Sequence, residues 1–453
     1  MTYKLVKSYS FEGSWSFSTN DDNWFSGVLL YDIDKRIIKL RMWGNGDYKK
    51  QINFYNDSVV GYTTNGRKVT LLNCIVKSTK RIGNKAEKYN VSNVITVTAN
   101  TILIGGHYYN RSRIGFSKIS LQYNELHDFV KKTGIDGDYD SESGRYTLWH
   151  DKINDIVLLD SESLTIAIKT RANVQGSLVL ASSMSLEQIQ EVYFEFGVEN
   201  DMDKLRNEIN SLTYFLSFSL NNFVHLEQII FNHEELHDER RDDIYQLNLD
   251  NVKKYGKKYP HNKHLIGIDD IERNSTLYHL WRENYFSKED AFHRFFKTVY
   301  NDRDFLDEKF IKLMRAFEDY HRLTVHFDQK KIIADGKKKG QLRDIFLRER
   351  IEDVCFEFSD IVRRIFDFND DEQNRIIKLI VGTRNKDIHG GNSDEYNCIK
   401  DSQSYFPVND LVISLLSLMI LKDIGFEKES VIEMAWDINS YYELIGYDWK
   451  NVK

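Results

Sequence analysis

Proline is nearly absent from this 453-residue chain, which has only Pro260 and Pro407. That excludes collagen-like segments and long proline-rich linkers. Cysteine is almost as scarce. Cys74, Cys355 and Cys398 are odd in number, far apart and without CxxC spacing, which excludes a cysteine-only zinc site and fits a reducing cytoplasm. No GxxxxGK[ST] loop is present, so no P-loop nucleotide motor is expected. The longest apolar run, Leu411 to Leu421, is broken by serine and is short for a bilayer span. The opening Met-Thr-Tyr-Lys-Leu-Val-Lys-Ser lacks the apolar core of a signal peptide. The expectation is a soluble cytoplasmic protein with no membrane partner. A basic excess is missing too. The net charge of −7 argues against broad coating of nucleic acid but leaves room for a local basic groove. Lys253-Lys254, Lys257-Lys258 and Lys337-Lys338-Lys339 read first as solvated loops.

What is present is a globular composition, 41% hydrophobic and 29% charged, in a chain too long for one ordinary core. Its two halves differ in pattern. Short runs rich in Val, Ile, Leu and Tyr (Gly27 to Tyr31, Ile37 to Met42, Val69 to Val76, Val94 to Val97, Ile114 to Leu121) alternate with turn clusters such as Asn45-Gly46-Asp47 and Asn65-Gly66. Leu164 to Ile168 and Leu178 to Leu180 continue the series, which predicts a sandwich or barrel. Asp201 to Leu216 carries helical spacing, and a strand-like Phe223 to Ile230 closes the β-rich part, assigned to residues 1–235. Residues 236–275 are polar and lysine-rich and read as a connection.

Residues 276–453 are predicted to be an all-α bundle. Leu277 to Tyr300, Phe305 to Leu323 and Gln341 to Phe366 read as single helices. A fourth opens at Asn369-Asp370-Asp371-Glu372, with a capping residue, acids in the first turn and Glu at the capping-box position. Pro407 begins a fifth and Glu427 to Leu444 forms a sixth. The architecture expected is α+β in two domains.

The fourth helix ends in Arg384-Asn385-Lys386-Asp387-Ile388-His389, followed by Gly390-Gly391, a C-terminal cap signal. Arg plus His with a polar residue beside the Arg is a sufficient kit for cutting RNA without metal. His389 can move a proton, Arg384 can hold a phosphate bidentately, and Asn385 can orient either. Asn385 and His389 are i and i+4 and share a face. On spacing alone, a helix end whose basic residues complement the dipole explains the same letters. Glu318, on the second predicted helix, could support Arg384; its simplest role is an i,i+4 pair with Arg322.

The helical half resembles a HEPN domain, whose ribonuclease members carry Arg, a polar residue, and His four to six positions after the Arg. Arg384, Asn385 and His389 match, with Thr383 and Asp387 in the usual surroundings. Ala316 to Arg322 and Leu347 to Cys355 look like earlier helices of the same domain. The amino-terminal half resembles the β-rich domain of ApeA-type proteins, bacterial antiphage HEPN ribonucleases. That likeness rests on Phe11-Glu12-Gly13-Ser14-Trp15, Phe25-Ser26-Gly27-Val28-Leu29, and Leu103 to Tyr108 with the Phe116 to Phe129 run. Ser26 stands where the family often has proline. The resemblance covers nearly the whole chain. It implies a catalytic set of Arg384, Asn385 and His389, no cofactor and no metal, a homodimer through the HEPN domain, and RNA, with tRNA foremost, as substrate. It also implies a phage-derived trigger sensed by the β-rich domain, and products with 2′,3′-cyclic phosphate ends. The competing expectation is a noncatalytic HEPN dimerisation module with a ligand- or protein-binding β domain.

Two further patterns invite metal readings. His233-Glu234-Glu235-Leu236-His237 fits HExxH, but Glu235 and Asp238 charge its neighbourhood and no third ligand stands nearby. Asp136-Gly137-Asp138-Tyr139-Asp140 begins like a calcium loop but has Ser141 where Gly is required and Thr147 where Glu is required. A polar turn is expected there.

Overall fold

The computed structural model describes residues 3–17, 24–44, 55–82, 92–108, 116–175, 185–200, 202–232, 244–248, 264–301, 304–332, 339–366, 369–390, 397–427, 429–431, 449 and 452. The chain divides into two compact units. One comprises Met1–Leu216 and Val224–Lys254, the other Ser217–Phe223 and Tyr255–Lys453.

The first unit is built almost wholly of antiparallel strands. β1 (Tyr9–Ser16), β2 (Phe25–Asp32), β3 (Ile37–Gly44), β4 (Tyr55–Thr63), β5 (Lys68–Ile82) and β6 (Ser92–Ala99) form a closed ring. β1 pairs with β2, β2 with β3, β3 with β6, β6 with β5, β5 with β4, and β4 returns to β1. Closure removes the sheet edges that an open sheet would expose. Alternate residues point inward, as in β2, where Phe25, Gly27, Leu29 and Tyr31 are buried and the intervening positions are not. Trp15, fully buried, is the largest side chain in the core.

The barrel is one end of a larger sheet. Val69 to Leu72 of β5 also pair with β7 (Thr101–Ile104). Beyond β7 come β15 (Ile244–Asn248), β14 (Leu226–Asn232), β8 (Phe116–Tyr123), β13 (Ser185–Asn200), β12 (Leu164–Gln175) and β11 (Ile156–Asp160), in that order. α1 (Leu126–Val130) follows β8, and α2 (Met202–Ser219) follows β13. β9 (Ile135–Asp140) and β10 (Arg145–His150) make a separate two-stranded hairpin. Ile244 to Asn248, inside the stretch read as a polar connection, is therefore a sheet strand. Leu178 to Leu180 and Ile114 lie outside the described residues.

The second unit is helical: α3 (Ile268–Arg273), α4 (Leu277–Ser287), α5 (Glu289–Val299), α6 (Leu306–Leu323), α7 (Leu347–Glu357), α8 (Ser359–Phe366), α9 (Asp370–His389) and α10 (Tyr405–Asp423). A small hairpin, β16 (Lys330–Ile332) with β17 (Leu342–Asp344), precedes α7. Two expected helices are broken. Leu277 to Tyr300 divides at Lys288, whose backbone leaves helical geometry at φ −132° and ψ 30°. Its buried ammonium is drawn to Asp423 Oδ2 at 2.7 Å and to Asn284 Oδ1. Tyr320 and Thr324 donate to the same Asp423 carboxylate, so one buried ion pair carries its own hydrogen-bonding shell. Gln341 to Phe366 likewise contains a strand and two helices that meet at Phe358.

α10 is the central core helix, with every residue from Pro407 to Leu421 buried. Together with the 3-10 turn before it, Ser402–Asp423 is long and apolar enough to cross a membrane, a longer stretch than Leu411 to Leu421 suggested. Burial of 89% of its apolar window accounts for that composition as core packing. The sixth predicted helix, Glu427 to Leu444, lies mostly outside the described residues.

Candidate active site

α9 begins as its sequence dictates. Asn369 Oδ1 accepts the Glu372 N–H at 2.9 Å, and the Glu372 carboxylate accepts the Asn369 N–H in return. Its end is equally local in origin. Gly390 sits at φ 66° and ψ 26°, a left-handed cap that glycine adopts without penalty, and its N–H reaches Lys386 O at 2.8 Å. His389 is thus the last helical residue; its side chain lies outside the described residues.

Immediately before the motif, a strap of chain crosses α9 at very close range. An added Cβ on Gly382 would stand 2.0 Å from Asn397 O, so only glycine admits the contact. Thr383, fully buried, accepts the Ile399 N–H at 2.8 Å and donates to Leu379 O at 2.7 Å. α9 also packs on α6 and α7. Arg375 also donates to Val452 O at 2.8 Å and to Trp449 O, tying the last described residues to α9.

Arg384 follows directly. Its Nε donates to Glu318 Oε1 at 2.8 Å and its Nη2 to Glu318 Oε2 at 3.0 Å, a two-pronged clamp from α6. The local alternative, Arg322, stands 4.0 Å from the same carboxylate. The i,i+4 pairing favoured by sequence spacing is therefore the weaker of the two, because tertiary packing of α6 on α9 offers a planar fork at bonding distance. The clamp uses two of five guanidinium donors. Among the described residues, those along the Nη1 edge meet only Asn385 Oδ1, at the 3.5 Å outer limit of a hydrogen bond. A second bidentate contact, of the kind a phosphate makes, can be formed there.

A second histidine close by in the fold is of another kind. His321, one turn after Glu318 on α6, is fully buried and stacks on Phe327 with ring centroids 4.7 Å apart. Arg350 Nη1 donates to its Nδ1 at 2.9 Å and to Gln329 Oε1 at 2.6 Å. Burial, and then the Arg350 charge, push the His321 pKa down to about 4. It is a neutral acceptor that orients Arg350, not a proton shuttle at neutral pH. Within the motif, burial holds the Asp387 carboxyl above its ordinary value; Lys386 acts against the shift and the Asp307 carboxylate adds to it.

Residues 10–279 match ApeA N-terminal domain 1, and residues 290–430 match Apea-like HEPN. The chain belongs to the ApeA family. Its order is that of an ApeA-type antiphage protein, with a β-rich N-terminal domain followed by a HEPN domain, and the α+β, two-domain expectation holds. No curated protein and no solved structure matches the chain. The Arg384 hexapeptide falls inside the matched HEPN segment.

Asp136 to Asp140 is strand β9 rather than a loop, and Asp140 caps the following turn by accepting the Glu142 N–H at 2.9 Å. The HExxH stretch 233–237, the lysines at 253–254 and 257–258, and Lys337 and Lys338 lie outside the described residues. Glu318 is the residue whose role spacing misjudged. The one signal that could have raised it is its place in the Ala316 to Arg322 stretch that resembles a HEPN helix.

Proposed function

We propose that this ApeA-type protein is an antiphage endoribonuclease that cuts cellular RNA, tRNA foremost, without metal. The observation that carries the reading is the Arg384 guanidinium, held on its Nε–Nη2 edge by Glu318 at the end of α9, with the Nη1 edge left for a phosphate. In RNA the 2′-OH is itself the nucleophile. Cleavage then needs a base for that hydroxyl, an acid for the departing 5′-oxygen and positive charge on the phosphorane. His389 serves as base or acid, Arg384 as the clamp on the transition state and Asn385 as an orienter. A single hexapeptide has one histidine for two proton transfers. Pairing of two chains about a two-fold axis supplies the second His and the second Arg, so the site is composite and the active form is a homodimer. The products are a 2′,3′-cyclic phosphate and a 5′-OH end. The β-rich domain restrains the nuclease until a phage-derived trigger reaches it.

The test is wild type and His389→Ala, each purified from phage-infected cells and incubated with total RNA with and without EDTA. Cleavage by the wild type alone is the expected result. Equal behaviour of the two proteins favours the noncatalytic module, and cleavage that EDTA abolishes returns attention to the HExxH stretch.

A further inference from the structure

The β9–β10 hairpin stands apart from the rest of its unit in having almost no buried surface. Every residue from Asp136 to Trp149 is exposed. The register pairs Tyr146 with Tyr139, Leu148 with Gly137 and His150 with Ile135 on one face. Arg145, Thr147 and Trp149 meet Asp140, Asp138 and Asp136 on the other. One face is therefore apolar: Tyr139, Tyr146 and Leu148 are 50%, 74% and 60% exposed, and the two tyrosine rings stack at 4.4 Å. The opposite face carries three aspartates in a row along β9. Arg145 is the only Arg or Lys between Ile135 and His150 to answer them.

The base of this arm is firmly set. Asp151 donates its N–H to Gly134 O at 2.8 Å, Gly134 donates to Gln188 Oε1 at 2.7 Å, and Gln188 Nε2 returns to Lys132 O at 2.9 Å. Among the described residues, β9 pairs on one edge only. Along the strand, the amides of Ile135 and Gly137 are satisfied by Thr133 Oγ1 at 3.1 Å and Asp136 Oδ1 at 2.7 Å rather than by a neighbouring strand. A two-stranded ribbon gains little stability by itself in water, and solvent-facing aromatics on it gain nothing until covered.

We propose that this hairpin is a docking arm for an extended segment of a partner protein in which apolar and basic residues alternate, added as a third strand along β9. Strand addition supplies main-chain hydrogen bonds without regard to sequence, and the period-2 alternation of side chains supplies the selection. The incoming apolar positions continue the Tyr139–Tyr146–Leu148 face, and the incoming Lys or Arg positions face Asp136, Asp138 and Asp140. Charge decides between occupants. A second copy of this chain paired β9 to β9 about Asp138 sets Asp136 against Asp140 on the same face, which repels. RNA stacked on the tyrosine face finds no Lys or Arg of the hairpin there, because Arg145 lies on the aspartate face. The inference does not rest on the nuclease reading.

The test uses the full chain and three fluorescein-labelled ten-residue peptides read by fluorescence anisotropy at physiological salt. One alternates Val and Lys, one alternates Val and Glu, and one has the Val–Lys composition with its lysines in a block. The expected result is saturable binding of the alternating Val–Lys peptide, at least tenfold tighter than the other two. Asp136→Lys/Asp138→Lys is expected to reverse the preference towards the Val–Glu peptide, a gain that a misfolded hairpin cannot produce. Tyr139→Ser is expected to weaken both alternating peptides. Equal affinity for the alternating and block peptides, or an unchanged preference in the charge-reversed protein, overturns the proposal. Self-association of the wild type that the charge reversal alters, without peptide binding, overturns it in favour of a second copy.

Discussion

Arg384→Ala is expected to lower RNA cleavage by about 10²–10³-fold, the usual cost of removing one preorganised donor from a developing oxyanion. It is also expected to destabilise the helical unit, contrary to the simple view that a catalytic substitution leaves the fold untouched. Glu318 is only 10% exposed and loses both strong hydrogen bonds, keeping Arg322 at 4.0 Å. An uncompensated carboxylate in that position costs about 1–3 kcal/mol. The two effects separate in Arg384→Ala/Glu318→Ala, which removes the stranded charge. Urea unfolding should recover most of the lost stability in the double variant while cleavage stays absent. If the double variant regains cleavage along with stability, Arg384 is a structural residue and the site assignment is wrong.

The second large effect is pH-dependent. Asp410 on α10 is 5% exposed, and among the described residues its Oδ2 has no hydrogen-bond partner. Burial pushes its pKa up to about 7, with Lys309 acting against the shift. A carboxyl with a raised folded pKa binds a proton that the unfolded chain has already released. Its contribution is therefore fully present below about pH 4 and is lost as the pH rises to about 7, after which the profile is level. Asp410→Asn removes this titration. Its gain over the wild type should be negligible near pH 4 and grow to about 4 kcal/mol by pH 8. Unfolding of the helical unit followed across that range checks the claim, and parallel profiles for the two proteins would contradict it.

These two residues illustrate where sequence reading succeeds and where it stops. Capping is written in consecutive letters, so Asn369 to Glu372 and Gly390 were legible as the start and end of α9 without any knowledge of the fold. The change from period-2 to helical spacing likewise separated the β-rich half from the helical half. The Arg384–Glu318 clamp spans 66 residues and had a nearer competitor in Arg322, so nothing local could select it. The break at Lys288 depends on Asp423, 135 residues away, and an apparently continuous pattern concealed it. β13 escaped because Glu187, Gln188, Gln190, Glu191 and Glu195 interrupt the apolar alternation that marks a strand, Gln190 and Glu191 even at buried positions. Barrel closure depends on the pairings of β4 with β1 and of β3 with β6, which no single strand announces. The reverse error is also instructive. Asp136 to Asp140 looked like a turn because its polar residues are frequent, yet their spacing of two is that of a strand with one charged face.

The most direct measurement is sequencing of RNA 3′ ends bearing 2′,3′-cyclic phosphate, in cells producing the wild type or His389→Ala during phage challenge. Cyclic-phosphate ends concentrated at defined positions, in tRNA foremost, should appear with the wild type and vanish with His389→Ala. An identical set of RNA ends in both, in cells where the wild type restrains the phage, would contradict RNA cleavage by the Arg384–His389 motif.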